Sequence, residues 1–239
     1  MKIKKDLLSQ FVRETALSGE HEIREVKLNF EKDGLKLIRI TEGNHIFISS
    51  FLKSTAFEDY AEIGEITLLN YAELLKVIAT MGEDISIKKE GNLLVFEGGR
   101  KVEVPLADSE LIKTPTKTPD FEYPNEFIIN KKFFEDMTNN MSFSLNKNDT
   151  PIVEFEGSNG VIKANYGTKY KFEDYVNVDV KQEFKVKFGV SLLNAVRNIV
   201  GDLKVFMKKN EDDESMGFPA TIIKETDMYV IKLIIAPRV

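Results

Sequence analysis

The order of apolar and polar positions repeats four times along the chain. DLLSQFVRETALSG (6–19) sets Leu7, Leu8, Phe11 and Val12 at helical spacing, with Gly19 as a stop. Its other face carries Ser9, Gln10, Arg13 and Glu14, polar and of mixed sign. REVKLNFEKDGLKLIRITEGNHIFISSFL (24–52) then alternates with a period of two, and Asp33-Gly34 marks a tight hairpin turn. A second unit follows the same order. EITLLN (65–70) reads as a strand, YAELLKVIATMG (71–82) as a helix burying Leu74, Leu75, Ile78 and Met81, and DISIKKEGNLLVFEGGRKVEVPL (84–106) as hairpins turning at Gly91-Asn92 and Gly98-Gly99. In the third unit EFIIN (126–130) leads into KKFFEDMTNNM (131–141), with Phe133, Phe134, Met137 and Met141 on one side, then strands that turn at Asn159-Gly160. The fourth runs from EFKVKFG (183–189) through VSLLNAVRNIVG (190–201), with Val190, Leu193, Val196 and Val200 inward and Gly201 as its end. It closes in the strands DLKVFMKKN, FPATIIKE and MYVIKLIIAPRV. Four strand–helix–strands units, each with one apolar helix face, predict an α+β fold whose helices pack on one side of antiparallel sheets.

ADSELIKTPTKTPDFEYP (107–124) breaks the pattern. Pro115, Pro119 and Pro124 deny it a regular ladder, so it reads as a linker pairing the units two by two. The expected organisation is one domain over 1–108, a connecting linker over 109–124 and a second domain over 125–239. Leu111 and Ile112 stand side by side in that linker. They either tuck onto a neighbouring domain or form a binding strip.

With 42% hydrophobic residues in 239, the chain can bury two cores, and no apolar run reaches the roughly 20 residues that cross a bilayer. No membrane association is expected. The absence of cysteine fits a reducing intracellular setting and excludes thiol catalysis and cysteine-based metal sites. A net charge of −6 argues against wholesale wrapping of nucleic acid, yet leaves room for a local basic surface.

Chemistry is sparse. The two histidines, His21 and His45, have no triad spacing around them, and neither a metalloprotease helix motif nor a phosphate loop is present. Gly98-Gly99 reads as a hairpin turn, and Glu211, Asp212, Asp213 and Glu214 lack the spacing of a calcium loop. No cofactor or metal is expected, and no enzyme, although a carboxylate site built from distant residues is invisible at this stage.

ITEGNHIFIS (40–49), NYAELLKVIATMGEDISIK (70–88) and the ending YVIKLIIAPRV (229–239), in that order around a central linker, resemble a DNA sliding clamp of the PCNA type across essentially the whole chain. The resemblance is nearer to archaeal or archaeal-virus clamps than to the bacterial form with three domains per chain. It implies a ring of three two-domain chains, with helices lining a central hole, and a location in the cytoplasm of an archaeal or viral host cell, or the nucleus of a eukaryote. Arg13, Lys76, Lys131, Lys132 and Arg197 are then the candidate contacts to the phosphates of double-stranded DNA, without base readout. Glu14, Glu73, Glu135 and Asp136 beside them also suit ordinary solvated faces, and Asn139 and Asn140 stand where clamps carry a denser basic lining. The strands around Lys101–Leu106 and Lys169–Val178 become the edges that join subunits. The resemblance further implies a pocket for client peptides made of His45, Ile46, Leu111, Ile112, Ala236 and Pro237. The implied function is a polymerase processivity factor that tethers a DNA polymerase and other clients bearing PCNA-interacting peptides, placed by a clamp loader, as a homotrimer or heterotrimer. The alternative is a clamp-fold scaffold that works only in a hetero-oligomeric or checkpoint-like ring.

Overall fold

The computed structural model of the chain describes residues 1–144, 146, 151–212 and 217–238, with the side chains of all of these except Lys131 and Ser142. The fourfold repeat is present in the order of elements. The first unit is β1 (Lys2–Lys4), α1 (Lys5–Thr15), β2 (Val26–Glu31), β3 (Gly34–Ile40), β4 (Ile46–Lys53) and β5 (Phe57–Glu58). The second is β6 (Gly64–Leu68), α2 (Leu74–Ala79), β7 (Asp84–Glu90), β8 (Leu93–Glu97) and β9 (Lys101–Pro105). The third is β10 (Asn125–Ile129), α3 (Lys131–Ser144), β11 (Ile152–Ser158), β12 (Val161–Tyr166) and β13 (Phe172–Asn177). The fourth is β14 (Phe184–Gly189), α4 (Val190–Val196), β15 (Leu203–Met207), β16 (Ala220–Glu225) and β17 (Tyr229–Ile235).

Turn chemistry fixes the hairpins. Asn159 and Gly160 both take positive φ, at 50° and 79°, which matches the right-handed twist of β11 and β12 across a two-residue turn. Gly34 at φ 150° comes so close to the Leu52 carbonyl that a Cβ would lie 2.3 Å from its oxygen, so only glycine lets β3 start there.

The strands form three antiparallel sheets. β5-β1-β7-β8-β9 lie in the first half of the chain and β13-β12-β11-β14 in the second. Between them runs an eight-stranded sheet, β10-β15-β16-β17-β4-β3-β2-β6, to which each half gives four strands. Its seam is the pairing of β17 with β4, from Tyr229 opposite Leu52 to Ile235 opposite Ile46. The two halves are therefore joined by a backbone ladder as well as by the linker. Helix α1 packs on α2 and α3 on α4. The Lys5 ammonium donates to the carbonyls of Ala79 and Met81, both at 2.9 Å, and so caps the negative end of α2.

Two helices are shorter than their apolar spacing predicts. α2 is preceded by a 3-10 turn, Tyr71–Glu73, and α4 stops at Val196 with Arg197 as its cap. Val200, expected inward, lies beyond that end and is 41% exposed, while Ile199 takes the buried place. The larger correction concerns Glu14. The alternation of α1 sets it beside Arg13 on the polar face, yet it is fully buried.

Candidate functional site

Glu14 is buried because it is answered from the far end of the chain. Lys224 of β16 donates to both of its oxygens, at 2.6 and 2.8 Å, and the Tyr229 hydroxyl donates at 2.8 Å. The Val200 amide and the Gln10 side chain, each at 3.1 Å, complete the shell. Burial, with the carboxylate beside it, pushes the Tyr229 hydroxyl well above the ordinary tyrosine range. This cluster fastens α1 to the second half of the chain. It also removes an acid from the outward face of α1.

Arg13 and Arg197 are exposed and have no carboxylate within ion-pair reach among the described residues. Lys76 pairs with Glu73 at 3.1 Å and Lys132 with Asp136, each partner one turn away on the same element or the turn before it. Both pairs are solvent-exposed and screened, so neither holds its lysine firmly. The side chain of Lys131 lies outside the described residues. Asn140 turns inward and donates to the Tyr166 hydroxyl at 3.1 Å, which in turn donates to Asp174 at 2.6 Å. Its role is to tie α3 to β12 and β13.

The linker crosses the eight-stranded sheet strand by strand. Its start is pinned to β6 by the Ala107 amide on the Thr67 carbonyl at 2.9 Å. Arg39 of β3 then donates to the Lys113 carbonyl at 3.1 Å, Lys232 of β17 to that of Pro119 at 3.3 Å, and the Thr221 hydroxyl of β16 to the Tyr123 hydroxyl at 2.9 Å. Lys232 shares a strand face with Ile234, which lies opposite Phe47 of β4. Both Phe47 and Ile234 are only 6% exposed, although they point away from the main core. The linker is bonded to that face at Lys232 and Thr221, both beside Ile234, and within it Ile112 is buried at 3% while Leu111 is exposed at 65%.

The six residues expected around a client pocket are thus spread along this strap. His45, Ala236 and Pro237 come together through the seam, where the Ala236 amide donates to the His45 carbonyl at 2.9 Å, and Ile46 is wholly buried beneath them. His45 and Pro237 border an open cavity of about 670 Å³ that is also lined by His21, Ser191 and Arg238. Leu111 and Ile112 lie towards the β6 end. Sequence reasoning missed Phe47 and Ile234, although the signal was there: in IFISSFLK and YVIKLII the period of two leaves an apolar residue on the face opposite the core.

Both strands expected to join subunits lie at open sheet edges, β9 bonding only to β8 and β13 only to β12 among the described residues. The Leu106 amide bonds to Asn92, so ladder alternation turns the backbone of Val102 and Val104 inward and that of Lys101, Glu103 and Pro105 outward. The missing N–H of Pro105 therefore costs the chain no internal bond. On β13 the Val178 amide bonds to Gly160, which leaves Glu173, Tyr175 and Asn177 with outward backbone. This second edge is aromatic. Tyr175 is 65% exposed and Phe143 of α3 54% exposed, the latter edge-on to Phe172 at 5.7 Å. Both side chains stand beside the open edge of β13.

Among the described residues no group of three or more acidic or histidine side chains is placed to hold a metal ion. No protein-family model and no curated protein matches the chain. Solved structures do. PCNA of A. fulgidus, in a structure with the C-terminal region of FEN-1 bound, superposes with a TM-score of 0.80 at 15% identity, over 100% of this chain and 97% of that one. PCNA of Entamoeba histolytica gives 0.79 at 13% identity, over 100% and 98%.

Proposed function

We propose that this chain, which has the fold of the PCNA sliding clamps from end to end, is a non-enzymatic ring subunit that encircles duplex DNA and tethers a polymerase and other replication or repair proteins. The observation that carries the reading is the full-length fold together with two unlike open edges, β9 and β13, at the outer ends of its sheets. Unlike edges associate head to tail, and a head-to-tail contact closes a ring when its rotation divides the circle. Three copies of two similar domains, 1–108 and 125–239 joined by the linker 109–124, make that ring.

Retention is topological in this account. A few phosphate contacts from Arg13, Arg197, Lys76 and the lysines of α3 centre the duplex without reading it, and escape requires an edge pair to open. Client peptides are held at the outer face of the shared sheet, along the exposed Leu111 of the linker and the segment where His45, Ala236 and Pro237 meet. The A. fulgidus clamp with its bound FEN-1 segment supports capture of client segments by this fold.

A second reading is favoured by Pro105. It leaves the open side of β9 with one fewer donor for a neighbouring strand, so a copy of this chain gains a shorter ladder than a paralogue without that constraint. In this reading the ring is completed by paralogues, whose β9 would make a longer ladder with β13 of this chain. Retention on a nicked circular duplex against the same DNA linearised tests the encircling function. A bound fraction lost only when the circle is cut supports it, and equal dissociation from both forms refutes it.

A further inference from the structure

The chain has only two histidines, and the fold brings them into contact. The His21 and His45 rings meet edge to face with centroids 5.6 Å apart. His21 ends the turn Gly19–His21 that follows α1, and it packs on α4 of the fourth unit. Its Nε2 lies 3.4 Å from the Ser191 hydroxyl and 3.7 Å from a carboxylate oxygen of Glu20. The ring is 7% exposed, and its Nδ1 is buried with no hydrogen-bond partner among the described residues.

We propose that His21 is a pH-operated latch between the first and fourth units, closed while its imidazole is neutral and released on protonation. With the neutral ring in the tautomer that turns Nε2–H towards the Ser191 hydroxyl, Nδ1 is a lone pair without a donor, which costs less than burying the charged ring would. Protonation makes Nδ1–H a donor without an acceptor and places a charge in a poorly solvated seat. The groups that face the ring set the balance. Glu20 stabilises the cation, but it is largely exposed and screened; His45 across the edge contact opposes it. Glu42 and Arg238, on the rim of the same cavity, are of opposite sign. Burial outweighs the rest and holds His21 below the ordinary histidine range.

The sign follows. A buried base with a depressed pKa contributes its stabilisation in full above the unfolded value of about 6.5, and loses it as pH falls below that value. Acidification thus loosens the 19–21 turn from α4 and opens the floor of the cavity beneath His45 and Pro237. The latch stands apart from the clamp reading, since its test needs neither DNA nor a client.

The test is thermal unfolding of the whole chain at pH 7.5 and 5.5, wild type against His21→Phe, which keeps the ring contact and cannot titrate. Wild type should lose more, by on the order of 2–4 °C. Parallel losses overturn the proposal. In wild type, NMR of the histidine ring protons should show one ring titrating below the midpoint of a model peptide, with the α4 amides near Ser191 shifting in step. Two rings at the model midpoint, or α4 amides that stay still, overturn it even where the variant fails to fold.

Discussion

Replacing Lys224 by Met should be the most damaging single change among the charged residues described. Lys224 is 5% exposed and gives three hydrogen bonds, two to Glu14 at 2.6 and 2.8 Å and one to Tyr229 at 2.8 Å. Methionine matches its volume, so packing survives and the loss is electrostatic. Glu14, with no exposed surface, keeps only neutral donors. Removing one partner of such a pair costs about 3–5 kcal/mol. For a chain of this length that lowers the melting temperature by on the order of 6–20 °C. The double variant Glu14→Leu with Lys224→Met removes the charge left behind and should recover part of the loss, the Tyr229 hydroxyl and the Val200 amide having lost their acceptor. Urea titration with far-ultraviolet circular dichroism reads all three proteins on one scale. A single variant within about 1 kcal/mol of wild type, or a double variant no better than the single, would refute the claim that this ion pair locks α1 to β16.

Tyr175→Lys should leave the fold intact, because the side chain is 65% exposed, yet reduce the solution mass from three chains to one; an unchanged mass would clear β13 of a role in assembly. Leu111→Asp, on an equally exposed side chain, should weaken a client peptide at least tenfold by calorimetry, whereas Ile112→Asp buries a charge and lowers stability as well. Undiminished binding by the Leu111 variant would move the client site elsewhere. Arg13→Ala and Arg197→Ala should each flatten the slope of log affinity against log salt for duplex DNA by about 0.9, and do so equally for unrelated sequences. A slope that stays put would place both arginines away from the phosphates.

The fourfold repeat was legible because local chemistry writes it: Asn159-Gly160 and Asp33-Gly34 can hardly be anything but turns, and the apolar stripes of α1 and α3 have helical spacing. The ends of α2 and α4 were less so. Val200 continues the stripe of α4 on paper, but the helix is over by Val196, and capping at Arg197 competes with one further turn. Contacts between distant residues left no local trace. Nothing near Glu14 announces Lys224, 210 positions away, and an isolated Glu next to Arg reads as surface. The seam of β4 and β17 was likewise hidden, since an alternating strand says which face it buries and not which strand it joins. For that reason His45 and Pro237 could be assigned to one place only through the family resemblance, while the strap of the linker beside Ile234 needed the fold.

The central claim is that the two open edges close this chain on copies of itself, and light scattering from the purified protein across a wide dilution series at moderate salt tests it most directly. The account predicts three times the chain mass at high concentration, with any dissociation on dilution passing straight to single chains. A single-chain mass at every concentration would contradict a self-closing ring.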